Sequence, residues 1–323
     1  MRAAPQVEPT ASHPDPAARG SARRGLVGRV ARHWPLYLMA LPALASVLIF
    51  GYGPLFGLSI AFLEFSPFRG VFGSDWVGLG NFKDAFGNPF FWTALRNSVV
   101  ISALKLAIGF PTAITLALLL NEVRLKWFRS VVQTASILPF FISWVVVGAM
   151  FRSLFAPDGL ANEVQTNLLG LQPTVFLSDP GRFLWIVVLQ DTWKYAGYFA
   201  VLYLAAMAAI DPTLYEVAEV DGATRWQQTR FITLPGISGT MVTLFVVLVG
   251  YLVSAGFEQI YVMYSVSVYS TADILETFTL RLGLRQSNYG LATAVGLFQG
   301  AISLSLVLLA NLLARRFRRE GLF

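Results

Sequence analysis

Ser98-Val-Val-Ile-Ser-Ala-Leu-Lys-Leu-Ala-Ile-Gly-Phe-Pro-Thr-Ala-Ile-Thr-Leu-Ala-Leu-Leu-Leu120 carries a single charge, Lys105, over its whole length. The hydrocarbon core of a bilayer is about 30 Å thick, and a helix crosses it with about 20 apolar residues. This stretch therefore reads as a membrane span. Five others qualify by the same measure: about Leu36 to Phe62, Val131 to Leu154, Phe183 to Ile210, Ile237 to Gly256 and Leu291 to Leu313. Prolines 42, 54, 111 and 139 fall inside these spans, where neighbouring helices can re-satisfy the freed backbone groups. No segment has the alternation of a barrel strand. The expected fold is an all-α membrane protein of six transmembrane helices.

Composition agrees. Charged residues make up 13% of the 323-residue chain, against roughly 25% in a soluble domain, so much of the surface does not face water. Cysteine is absent, which excludes a disulfide framework and thiolate metal sites. The only histidines, His13 and His33, lie near the N-terminus, far from any candidate pocket, so a histidine-based catalytic or metal centre is not expected. The net charge of +6 does not indicate nucleic acid, because the arginines cluster beside hydrophobic spans.

Residues 1–33, rich in Ala, Pro and Arg with no helical period, read as a disordered basic cytoplasmic tail. A secretory signal fits poorly, because the following apolar run is far longer than an h-region. Residues 34–323 form the membrane domain. Its orientation follows from Lys and Arg. The tail, the loop with Arg124, Lys126 and Arg129, and the C-terminus with Arg315, Arg316, Arg318 and Arg319 share one side if there are six spans. Loops 63–97, 155–182 and 257–290 lie on the other, where basic residues are sparser and offset by acids such as Asp75, Asp84, Asp158 and Asp179. Both termini are thus expected in the cytoplasm, together with the loop 211–236 between spans four and five.

That loop reads Asp211-Pro-Thr-Leu-Tyr-Glu-Val-Ala-Glu-Val-Asp-Gly-Ala-Thr-Arg-Trp-Gln-Gln-Thr-Arg-Phe-Ile-Thr-Leu-Pro235. Asp211 is a candidate cap with Pro212 at the first helical position, and Thr213 with Glu216 matches a capping box. Gly222 fits a left-handed C-cap. Thr224 with Gln227 offers a second capping box. The loop is therefore expected to be two short helices joined at a sharp glycine bend. Leu214, Val217 and Ala218 give the first an apolar face, with Glu216 and Glu219 one turn apart.

This stretch resembles the E-A-A…G motif of permeases in ATP-binding-cassette importers. Glu216, Val217 and Ala218 stand for E-A-A and Gly222 for the glycine, and Ile-Thr-Leu-Pro at 232–235 matches as well. Val217 departs from the usual alanine but stays small and apolar. The likeness extends over nearly the whole chain beyond the tail, through Val77–Phe82, Leu118–Val123, Phe141–Val147, Leu204-Ala-Ala, Gly256–Gln259 and Ala294–Phe298. It is nearest to the carbohydrate-uptake permeases of the polysaccharide type, which include those for aldouronates and alginate; the larger maltose permease is more distant. The resemblance implies coupling helices, with Glu216, Val217, Ala218, Asp221 and Gly222 docking on an ATPase. It also implies a heterodimer with a second permease, two ATPase subunits that bind ATP and Mg, an extracytoplasmic solute-binding protein, a sugar substrate and location in the bacterial inner membrane. The chain itself has no G-x-x-x-x-G-K-[ST] loop with which to bind ATP.

Ionisable residues inside a span are candidate functional groups. Span four holds Gln190, Asp191 and Lys194, with Trp193, Tyr195 and Tyr198 around them. Asp191 and Lys194 are three residues apart, at a spacing that allows pairing. Two readings stand: a pair that neutralises itself against a neighbouring helix, or a sugar path in which aromatic faces stack on pyranose rings. Glu258 and Gln259, ending span five, are further path candidates on the resemblance to the maltose system. Lys105 and Arg152 either attract an anionic substrate or snorkel to an interface. Ala292, Gly296 and Gly300 form a small face of span six that close helix packing explains. An importer of another solute is the nearest alternative. A secondary transporter would often show an internal repeat, and a membrane enzyme would need a catalytic constellation that is absent from the sequence.

Overall fold

The computed structural model describes residues 34–318, and the basic N-terminal tail assigned to residues 1–33 lies outside them. The described chain forms two compact units that divide between Gly57 and Leu58. The first begins with α1 (Trp34–Ser46), which holds Pro42 and continues through a π-helical turn, Val47–Tyr52. A 3-10 segment, Gly53–Phe62, follows.

The second unit starts with the end of that segment, at Leu58, and continues into a two-residue antiparallel ladder, β1 (Leu63–Glu64) and β2 (Asp75–Trp76). Helix α2 (Gly80–Gly87) comes next. Its Asn81 donates from Nδ2 to the carbonyls of Ala61 and Leu63. Asn88 caps the long α3 (Pro89–Glu122) by accepting from the Phe90 N–H, and Pro111 sits inside α3 without interrupting it. Next are α4 (Lys126–Ile137), α5 (Trp144–Leu154) and the short α6 (Leu160–Asn167). The long α7 (Pro180–Ala208) is capped by Asp179. Two short helices follow, α8 (Thr213–Val220) and α9 (Arg225–Gln228), the latter running on through Thr233. The remaining helices are α10 (Leu234–Gly236), α11 (Ser238–Val249), α12 (Phe257–Met263), α13 (Tyr269–Ala272), α14 (Leu275–Leu280) and α15 (Tyr289–Arg318).

Three helical stretches are long and apolar enough to cross a membrane unaided: Trp34–Phe62, Pro89–Glu122 and Tyr289–Arg316. Three bent pairs meet the same measure jointly: 126–141 with 144–154, 180–208 with 213–220, and 225–236 with 238–249. The described residues thus offer up to six spans. The expected third span, 131–154, is not one helix. It stops in a 3-10 turn at Leu138–Phe141 and resumes at Trp144, bent by 103°. Pro139 cannot donate a backbone hydrogen bond, and the Ser143 hydroxyl accepts from Val146 N to start a new helix. The expected fifth span, 237–256, is helical only to Val249. The chain turns through Gly250–Ser254 before α12.

Helices α3 and α7 pack along much of their length. Phe183, Ile186 and Val187 meet Ile101 at one end, and Ala200, Tyr203 and Leu204 meet Ala113, Ala117 and Leu120 at the other. The other face of α7 lies against α4 at Gly197. A Cβ on Gly197 would stand 2.0 Å from the Ser136 carbonyl oxygen, so only glycine permits this approach. The small face of span six behaves otherwise. Ala292 packs on Gly283, but a Cβ added at Gly296 or Gly300 would meet nothing within 4 Å, so these two glycines do not serve packing between the described helices.

Gly197→Leu is expected to force α4 from α7 and destabilise the protein by at least about 1–3 kcal/mol, the usual cost of overpacking. Gly296→Ala is the control. Thermal unfolding in detergent should separate the two, and equal melting temperatures would contradict the close contact.

Candidate functional site

Along α3, Ser102, Lys105, Gly109 and Ala113 recur at spacings of three and four, so they share one helix face. Asp191, Tyr195 and Phe199 do the same on α7. These stripes, with Tyr251, Ser254 and Gly256 from the break after α11, line a cavity of about 490 Å³. Aromatic rings and aliphatic surface dominate its wall, and Lys105 and Asp191 are the charged residues in it.

The two charges pair: Lys105 Nζ lies 3.0 Å from Asp191 Oδ1. The same ammonium donates to the Ala255 carbonyl at 2.8 Å and to Gln259 Oε1 at 2.5 Å. Gln259 in turn donates from Nε2 to the Val187 carbonyl and to Gln190 Oε1, each at 2.8 Å. Lys105 therefore ties the broken fifth span to α3 and α7. Gln190 and Gln259 are fully buried behind the cavity wall.

Lys194 departs from the expected pairing with Asp191. It is 3% exposed and points to the other side of α7, where its ammonium donates to the carbonyls of Pro139, Phe140 and Ile142. These carbonyls belong to the break between α4 and α5. The Pro139 carbonyl also accepts from Ile142 N at 3.2 Å, while those of Phe140 and Ile142 rely on the lysine. Its ammonium also lies 5.2 Å from the Trp144 ring centroid, a cation–π contact. Asp191 is engaged by Lys105 instead.

The remaining path candidates divide. Asp191 and Tyr195 line the cavity. Tyr198 stacks on Phe140 at 4.2 Å between centroids, Trp193 packs beside Phe151, and Glu258 is exposed. None of these three, nor Lys194, belongs to the cavity wall. Residues not proposed from sequence complete that wall, among them Ser102, Phe199, Tyr203 and Tyr251. The helical spacing from Lys105 and Asp191 was the signal that would have found those on α3 and α7.

The loop 211–236 folds as two helices at a glycine bend. Asp211 Oδ1 accepts from Thr213 N at 2.9 Å, and that backbone hydrogen bond holds its carboxyl below the usual range. Asp211 is thus the cap, and Thr213 and Glu216 do not form the expected reciprocal box. The end of α8 closes with Ala223 N donating to Ala218 O at 2.8 Å, which requires the left-handed Gly222 at φ 75°. Thr224 and Gln227 form the second capping box. Tyr215 and Thr233 share a 2.9 Å hydrogen bond between hydroxyls that clasps the two arms. Arg225 and Glu219 pair across the bend at 3.2 Å. Leu214, Val217 and Val220, at spacing three, form an exposed apolar ridge, with Val220 88% exposed. Glu216 and Asp221 are exposed beside it, while Ala218 is half-buried. A cleft of about 320 Å³ is lined by Glu122 and Arg124 together with Tyr215, Arg225 and Gln228. The loop after α3 and the glycine-bent loop therefore share one end of the unit.

Lys194→Met is expected to leave two carbonyls, those of Phe140 and Ile142, without a donor, while Pro139 keeps its bond from Ile142 N. Each buried unsatisfied group costs about 1–3 kcal/mol, so the variant should melt well below the parent. Adding Asp191→Ala should not restore it, because the two residues are not partners. Rescue by the double variant, measured as melting temperature, would contradict this arrangement.

Comparison with known proteins gives these features a context. Residues 109–319 match the family described as the binding-protein-dependent transport system inner membrane component. The polygalacturonan/rhamnogalacturonan transport system permease protein YteP of Bacillus subtilis is 41% identical over 93% of this chain and 94% of its own length. A crystal structure of a bacterial ABC transporter involved in the import of the acidic polysaccharide alginate contains a chain 40% identical to this one. The match has a TM-score of 0.84 and covers 91% of this chain and 99% of that one. A second structure, of the alginate transporter in complex with an alginate pentasaccharide-bound periplasmic protein, matches with a TM-score of 0.85 and 39% identity over 92% and 99% of the two chains. The chain belongs to the family of binding-protein-dependent transport system inner membrane components and is a transport permease.

Proposed function

We propose that this permease forms half of the channel of an ATP-driven importer for an oligosaccharide, in the cytoplasmic membrane of a bacterium. The observation that carries this reading is the glycine-bent loop. Its two arms are clasped by Tyr215 and Thr233, and it turns an apolar ridge outward. Such a ridge suits a groove on another protein. Family membership and the sugar-transporting relatives support the class of solute.

In this reading six spans cross the membrane, the third bent at 138–143 and the fifth broken after Val249, and both termini face the cytoplasm. The lysines and arginines near the loop after α3 support that side, and that loop shares a cleft with the coupling loop. Glu216, Val217, Ala218, Asp221 and Gly222 form the docking surface for an ATPase subunit. A second permease completes the channel, and two ATPases bind ATP and Mg. An extracytoplasmic solute-binding protein delivers the sugar. The chain itself supplies a cavity opened alternately to each side, with aromatic rings for sugar faces and polar groups for hydroxyls.

The purified chain is expected to hydrolyse no ATP, with activity appearing only when the second permease and ATPases are co-expressed. Hydrolysis by the isolated chain would refute the assignment. Gly222→Val is the sharper test. A β-branched residue at positive φ costs about 1–3 kcal/mol of local strain, spent at an exposed bend. The variant should insert normally while pull-down of the ATPase and sugar uptake both fall. Uptake at the parental rate would remove the loop from the coupling role.

A further inference from the structure

An acidic sugar would call for a cation in the channel wall, and Lys105 is the candidate that lines the cavity. Its geometry argues against that use. An ammonium has three N–H donors, and Lys105 has three acceptors in place: Ala255 O at 2.8 Å, Gln259 Oε1 at 2.5 Å and Asp191 Oδ1 at 3.0 Å. Of the aliphatic hydroxyls in this wall two are spent, while the phenol hydroxyls of Tyr195, Tyr203 and Tyr251 remain as neutral donors. The Thr192 hydroxyl donates to the Val188 carbonyl at 2.9 Å, and the Ser254 hydroxyl donates to Glu276 Oε1 at 2.5 Å. Ser102 Oγ is buried out of reach.

Among the charged groups, what remains open is acceptor capacity. Asp191 engages Lys105 through Oδ1, and its side chain keeps 20% of its surface exposed. Its other oxygen has no hydrogen-bond partner among the described residues. Lys105 and Asp191 cancel, so the wall has no net formal charge. A carboxylate arriving here has acceptors only and would face another carboxylate in a poorly screened setting. A sugar hydroxyl brings the donor that Asp191 lacks. The ring faces of Tyr195 and Tyr251 receive either kind of sugar equally.

We propose that this chain's wall of the cavity reads sugar hydroxyls through Asp191 and offers substrate carboxylates no free cation, Lys105 being committed to the wall itself. The assignment rests on the cavity being the sugar path. It makes Asp191 a specificity-determining residue: uronate carboxyl groups, where the substrate has them, turn away from this wall.

Saturation-transfer NMR on the assembled permease–ATPase complex in nanodiscs, without binding protein, tests it. The probes are an oligogalacturonide and its neutral, carboxyl-reduced counterpart. Asp191→Asn keeps the size of the side chain and strips Lys105 of its counter-charge. The ratio of uronate to neutral affinity should rise about tenfold, the scale of one charged hydrogen bond gained. Asp191→Glu should keep the parental ratio. An unchanged or lower ratio in Asp191→Asn overturns the proposal. Should that variant fail to assemble, Lys105→Met with Asp191→Asn decides, because it leaves the wall neutral. A raised ratio there supports the proposal, because the carboxylate that binds hydroxyls and repels uronates is gone; a parental ratio overturns it, and a fall in uronate binding shows that Lys105 was reading carboxylates and overturns it too. Failure of the parental complex to bind either sugar would sink the oligosaccharide reading, and this assignment with it.

Discussion

A backbone carbonyl released by a break in a membrane helix has no water to turn to, so a donor must come from within the protein. Two lysines answer that need here. Lys194 on α7 serves the break between α4 and α5, donating to Pro139, Phe140 and Ile142. Lys105 on α3 serves the break after α11, donating to Ala255 and to the Gln259 side chain. The two breaks flank the long pair α3 and α7, and each long helix lends one lysine. Charge inside the membrane is costly, and it is retained where a flexible, triply donating head reaches several orphaned acceptors at once. Arginine would fit less well, because its planar fork cannot converge on such a cluster.

The cavity inherits its character from that solution. Lys105 needs a counter-charge, and Asp191 provides it from the facing helix at 3.0 Å. The aspartate stands at the cavity edge because the ammonium it balances is pulled toward Ala255 and Gln259. Gln259 extends the chain of bonds to Gln190 and Val187. The polar part of the wall is thus one connected network whose first task is structural. Networks of this kind hold their members in fixed orientation, and a ligand group meeting Asp191 meets a carboxylate that cannot swing away without exposing a buried cation.

Much of this was legible in the chain. Apolar length marked the helices long enough to cross a membrane, and the capping pattern from Asp211 to Gln227 marked the bent loop with Gly222 at its corner. Those signals are local: a cap needs residues within one turn, and a left-handed C-cap needs glycine. The partners of Lys194 were not legible, because they lie more than fifty positions earlier in the chain. Sequence spacing offered Asp191 as the nearest opposite charge, and proximity along one helix gave the wrong partner. Pro111 and Pro139 show the same limit. Both stand inside apolar runs, yet α3 continues through the first, and the chain breaks at the second. What differs is tertiary: the break at Pro139 has Lys194 beneath it to receive the freed carbonyls. Tyr198 and Trp193 were drawn into the path by their neighbours in sequence, but helical rotation turns them to Phe140 and Phe151.

The distribution of breaks also orders the mechanics. From Asp191 to its end at Ala208, α7 is uninterrupted, roughly 26 Å at 1.5 Å per residue. Four residues then lead into α8, whose ridge faces outward. A helix without a break transmits displacement along its axis with little loss, since its hydrogen bonds resist bending at every turn. The neighbours that carry breaks can hinge where their ladders are interrupted, at 138–143 and 250–256. The lysines that satisfy those breaks have long single-bonded stems, so their heads can follow a moving carbonyl over a short distance without abandoning it. A proline-glycine break left bare would have to open or close as a whole. One tethered by a lysine moves while its acceptors remain paired, which reconciles an interrupted span with the demand that no carbonyl in the membrane go without a donor.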